Sequence, residues 1–173
     1  MTKARIVHEL GCSEELFWDQ LFFDDDFNRR LFLEELGFSN WRVIHRGDIS
    51  APIVDVEIEV TPKLGDLPGP LRTIVGEGLS YREVGRLNRT SRRYAVKAQS
   101  AKLGDRLIVE GELYTEALGP NRCRRIFDVR VEAKIFGIGG LLEKRVISDI
   151  EHNYEVSAGY ITRYAKEHER KDA

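Results

Sequence analysis

GGLLEKRVISDIEHNYEVSAGYITRYAKEH, residues Gly139 to His168, reads as one long amphipathic helix closing a chain that is otherwise strand-like. At 3.6 residues per turn, Ile147, Ile150, Tyr154, Ala158, Ile161 and Ala165 fall at steps of three or four and share one face. Asn153, Tyr154, Ser157 and Tyr160 lie in or beside that stripe, more polar company than a dry core collects. A helix with such an inner face, laid across a curved sheet, is expected to roof a cavity.

Upstream, from Trp41 to about Ile135, the apolar period changes from 3.6 to two, with turn residues at Gly47, Asp48, Asn88, Gly104, Asp105, Gly119, Pro120 and Asn121. The pattern predicts six strands, Trp41 to Asp48, Pro52 to Thr61, Glu77 to Leu87, Ser91 to Ser100, Asp105 to Leu118 and Asn121 to Ile135. Short turns between most of them imply an antiparallel meander. Val54, Val56, Ile58 and Val60 oppose Asp55, Glu57 and Glu59, and the same sorting recurs in the last two strands, so one sheet face is wet and the other needs a cover. The outward charges alternate in sign across neighbouring strands, with Arg93 and Lys97 beside Glu110 and Glu112, and read as a solvated face rather than a basic patch.

The beginning of the chain supplies a seventh strand and more cover. Lys3 to Leu10 alternates and stops at Gly11. Ser13 with Glu14 and Glu15 opens a short helix through Leu16, Phe17 and Leu21. A second, capped by Asp24 to Asp26, carries Phe27, Leu31, Leu33 and Leu36 and ends at Gly37. Residues 63–76 are too long for a hairpin turn. Pro70 suits a first helical turn, and Leu71, Ile74 and Val75 would share a face of a short helix ended by Gly76. That piece reads either as a packed plug or as a lid over a cavity mouth, its lid residues being Leu67, Leu71, Ile74 and Val75.

Bulk properties narrow the function. At 173 residues, with 42% hydrophobic and 32% charged residues and a net charge of -2, the chain is expected to be one globular domain, 1–173, with no nucleic-acid partner. Cys12 and Cys123 match no zinc spacing and read as reduced thiols, which points to the cytoplasm. Neither an export signal nor a transmembrane segment is expected, although transient membrane contact is compatible with the sequence.

Strand, two short helices, six antiparallel strands and a long C-terminal helix at about 139–169 is the order of the α+β helix-grip fold, and on it the chain resembles the START-like (SRPBCC) superfamily of pollen-allergen-like proteins, polyketide cyclases and lipid-transfer domains. Ile6 to Leu10 followed by Ser13 to Trp18 carries the match at one end, and Phe136 to Glu143 looks like the entry into the long helix. Leu67 to Arg72, leading to Gly76 and a strand through Tyr81, resembles an uncharacterised bacterial branch. The resemblance implies a seven-stranded antiparallel sheet wrapped around the helix, with a hydrophobic or lipid-like small molecule held between them. It implies no cofactor and no metal, and brings no catalytic motif.

If the parity faces look inward, His45, Tyr81, Glu83 and Tyr94 are polar tips in an apolar chamber. Val96, Ala98, Val109, Leu113, Phe127 and Val129 would form the sheet wall, and Ile150, Asn153, Tyr154, Ser157 and Ile161 the helix wall. Arg125 breaks the apolar parity of its strand and is a candidate partner for a ligand headgroup or carboxylate. His45 and Glu83 are the candidate acid and base pair. The main reading is binding, transport or sensing of a hydrophobic molecule. The alternatives are a cyclase or dehydratase type of enzyme using that pair and a non-catalytic protein-interaction module.

Overall fold

The computed structural model describes residues 1–172. Seven strands, β1 (Thr2–Leu10), β2 (Asn40–Arg46), β3 (Ile53–Thr61), β4 (Tyr81–Asn88), β5 (Arg93–Ser100), β6 (Gly104–Gly119) and β7 (Arg122–Ala133), form one antiparallel sheet in the order β1-β7-β6-β5-β4-β3-β2. The meander therefore runs from β2 to β7 as the alternation predicts, and β1 closes on β7 with Ile6 opposite Phe127 and Leu10 opposite Cys123. The fourth strand starts at Tyr81 rather than Glu77, because residues 77–80 still belong to the long connection. The wet face carries cross-strand ion pairs such as Arg86 to Asp55 at 2.7 Å and Arg5 to Asp128 at 2.6 Å, with Arg93 on Glu112 and Arg130 on Glu110.

The other face is covered. After β1 come α1 (Leu16–Leu21), then α2 (Asp25–Arg29) running without a break into α3 (Arg30–Glu35). Ser13 Oγ accepts the Leu16 N–H at 3.1 Å, and Asp24 Oδ1 accepts the Phe27 N–H at 2.6 Å, so both helical pieces are capped where the sequence placed their starts. Gly37, at φ +68°, ends the second. The turns of both pieces are wider than the 3.6-residue spacing predicts. Phe22 N–H reaches back five residues to Phe17 O, and Leu36 N–H to Leu31 O, each at 2.9 Å, so α1 and α3 are π-type rather than α-type.

The helix α4 (Gly69–Val75) lies in the β3–β4 connection, with Pro68 before it and Gly76 at φ +67° after it. The closing helix, α5 (Gly139–Asp172), runs past the expected end near 169 and packs along β1, β7 and α3. It is pinned near both ends: Glu143 accepts from the Ala133 N–H at 2.9 Å and Thr2 Oγ1 at 2.7 Å, and Thr162 Oγ1 accepts the Gly11 N–H at 3.0 Å. Leu10, Val54, Leu71, Leu107, Val131 and Ile161 are fully buried, yet between the middle of α5 and the sheet the core does not close.

Candidate ligand chamber

That gap is a cavity of about 310 Å³, at the small end of ligand-site volumes. Inward residues of β2 to β7 form its floor, α5 its roof and the α1–α3 bracket its end wall. Two glycines set the shape of the floor. A Cβ on Gly85 would lie 1.8 Å from the Tyr94 hydroxyl, and one on Gly111 would lie 2.4 Å from the Phe127 ring, so both aromatic rings lie across bare backbone. The Phe127 ring in turn stacks on Tyr154 at 4.8 Å, which ties the floor to the roof.

Period-two parity places its residues well where strands are regular. Tyr81, Glu83, Tyr94, Val96, Ala98, Val109, Leu113, Arg125 and Phe127 line the floor; Ile150, Asn153, Tyr154, Ser157 and Ile161 line the roof; Leu67 and Val75 border it from the connection. Val129 does not. It is buried in the core, between Ala4 and Gly111, on a strand whose inner face α5 packs against. Leu71 lies fully buried, and Ile74 is half-buried outside the lining, because one face of a two-turn helix points mostly into the core and only Val75 reaches the cavity. Tyr160 stacks on Phe27 instead, at 5.2 Å.

His45 is on the opposite face from the cavity. The β2–β3 register slips between Val43 and His45, so Val43 faces Ile58 and His45 faces Glu57, with Ile44 the extra residue of a β-bulge. The bulge inverts the parity: His45 is exposed, and Arg46 turns inward to line the cavity, donating to Asp25 at 2.7 Å and to Phe23 O at 3.0 Å. The expected His45 and Glu83 pair is therefore not assembled.

The end wall is where the sequence reading fell short. Phe17, Phe22, Phe23, Phe27, Phe32 and Phe38 form it, six of the eight phenylalanines of the chain, joined by Trp41, while a seventh, Phe127, lies in the floor. Their clustering within residues 17–38 was the available signal. Wide turns then swing the side chains of α1 and α3 off the 3.6-residue stripe that a helix reading uses.

Most charges near the cavity are paired. Arg145 donates to Asp149 at 3.0 Å and to Asp66 O at 2.8 Å, holding the connection that carries α4 against α5. Burial raises the Asp149 carboxyl, against the pull of Arg145. Two charges are left over. Burial pushes the Glu83 carboxyl up to about 7, with only the Tyr94 hydroxyl opposing the shift. Burial also lowers the Arg125 guanidinium and raises the Tyr81, Tyr94 and Tyr154 phenols, which therefore stay protonated donors. The chamber can thus bury an apolar body, exchange a proton at Glu83 near neutral pH, and offer hydrogen bonds from tyrosines and Arg125. Among the described residues, no three His, Cys, Asp or Glu side chains gather as metal ligands.

A family model described as "Protein of unknown function (DUF2505)" matches residues 21–164. No curated protein matches the sequence. Solved structures do. A START superfamily protein from Mycobacterium smegmatis superposes with a TM-score of 0.65 at 15% identity, covering 94% of this chain and 98% of that one. Zhui aromatase/cyclase from Streptomyces sp. R1128 gives 0.62 at 12%, over 95% and 93%. Norcoclaurine synthase from Thalictrum flavum gives 0.60 at 15%, over 96% and 88%. The likeness is one of fold, and the fold is the START-like helix grip.

Proposed function

The chain belongs to the DUF2505 family and carries the START-like fold, and on that premise we propose that it binds a hydrophobic or lipid-like small molecule between the sheet and α5. The observation that supports this reading best is the chamber itself, an aromatic and aliphatic cavity kept open beneath α5 and containing a few oriented polar groups. Apolar burial would supply most of the affinity, at roughly 25 cal/mol per Å² removed from water. Tyr81, Tyr94, Asn153, Tyr154 and Arg125 would orient the ligand, and the segment 63–76 with α4 would act as its lid. Among the described residues, no helix is long and apolar enough to cross a membrane, so a lipid ligand would be collected by transient surface contact. The free, buried Cys12 and Cys123 suit a reducing cytoplasm.

Native mass spectrometry of the freshly purified protein, followed by organic extraction, tests the proposal. A specific co-purifying mass that Ser157→Trp or Ala98→Trp displaces from a folded protein is the expected result. An apo mass with no stabilisation by a lipid panel counts against it.

One observation favours a second reading, a cyclase or dehydratase type of enzyme: a buried carboxyl with a pKa near 7 is suited to acid and base work. Such chemistry would rest on Glu83 with Tyr94, not on His45. It requires that Glu83→Gln abolish turnover of a bound substrate while leaving its affinity nearly intact.

A further inference from the structure

Arg125 is 5% exposed, projects into the cavity from β7, and has no acid beside it. Its Nη2 donates to the Tyr154 carbonyl at 2.8 Å and to Ser157 Oγ at 2.9 Å, and the guanidinium lies 4.6 Å from the Tyr154 ring. Those neutral partners fix its orientation without compensating its charge. Its Nε is buried and has no acceptor among the described residues. The charged and titratable groups that act on it are His8 across the β1–β7 pairing, Cys12, Cys123 and Tyr154, none of them a carboxylate; Glu83, in the same cavity, acts on Tyr154 and not on Arg125. Elsewhere in the lining, Arg46 and Arg145 each have an aspartate. A buried charge left uncompensated is costly, and a site that maintains one is poised for a ligand of opposite sign.

Resting on the reading of the chamber as a ligand site, we infer that the ligand is a carboxylic acid amphiphile, its carboxylate on Arg125 and its apolar body directed toward the phenylalanines of the end wall. A carboxylate needs a single cation and two or three donors, which Arg125 supplies. A phosphate ester, with up to two charges and more acceptor oxygens, would want a second free cation, and the other two arginines of the lining are already paired.

The test is calorimetric titration of the whole protein at pH 7 with four ten-carbon probes that share one tail: decanoate, decanol, decylamine and decyl phosphate. The expected result is decanoate binding at least ten-fold tighter than decanol, with decylamine weakest. Arg125→Met is expected to bring decanoate and decanol to within about two-fold of each other, and Arg125→Lys to retain part of the preference. Equal binding of decanoate and decanol by the unmodified protein overturns the acid inference while leaving the chamber reading intact, and needs no folded variant. Decyl phosphate binding more tightly than decanoate overturns the choice of carboxylate. If none of the probes binds, the chamber reading itself fails and this inference with it.

Discussion

At the scale of single residues, Glu83 makes the fold sensitive to pH. Its carboxyl holds a proton in the folded protein up to about 7 but only to its ordinary 4.5 when unfolded. Between those values the folded state binds more protons, so this group's contribution to stability is complete below about 4.5 and declines as pH rises to about 7. The decline is up to about 3 kcal/mol. Urea unfolding from pH 5 to pH 8 should show this fall in the natural chain and its loss in Glu83→Gln, which should be the more stable of the two at pH 8. Gly85 tests the packing of the floor. Gly85→Ala drives a methyl into the Tyr94 ring and should cost about 1–3 kcal/mol in thermal unfolding. In a Tyr94→Ala background the obstacle is gone, and most of that penalty should vanish. Glu83 and Tyr94 were legible by parity because β4 and β5 pair in unbroken register. His45 was misplaced by one extra residue that no composition signal marks.

Elements show the same distinction. Removing Ile44, the bulge residue, leaves Val43 inward, His45 outward and Arg46 inward in a regular strand, so the deletion should leave the fold intact and cost no more than about 1–2 kcal/mol. Removing Val84 from the regular middle of β4 transposes one half of the strand and should cost several times more, because Tyr81 and Glu83 would exchange faces with Arg82. Denaturant midpoints followed by circular dichroism distinguish the two outcomes. The caps Ser13 and Asp24 were readable because capping is local chemistry between neighbours. The π-type turns were not, since a wide turn depends on what packs against it: Phe17, Phe22 and Trp18 crowd together with ring centroids 4.8 to 5.9 Å apart.

Across the whole molecule, the connection at 63–76 is held by few polar ties, Arg145 to Asp66 O and Lys102 to Val75 O at 3.1 Å. If it is the lid, Lys102→Met, which cuts the tie outside the cavity lining, should speed both entry and release of an apolar fluorescent probe several-fold in stopped flow, with little change in affinity. Unchanged rates would make it a fixed plug. The outer ion pairs are exposed and individually weak, so raising salt to 1 M should shift stability by less than about 1 kcal/mol. The sequence by itself determined which segments are helix and which strand, the order of the β2–β7 meander, the long helix and most of the cavity floor, because period, caps and turns act between residues close along the chain, whereas the closure of β1 on β7 joins distant segments. Tertiary structure alone decided that the bulge turns Arg46 inward in place of His45, that six phenylalanines close the end wall, and that Arg125 is buried without an acid. Those outcomes depend on which segments pack together and on which charges they leave without partners; the phenylalanine cluster and the broken parity at Arg125 stand in the sequence, but what packs around them does not.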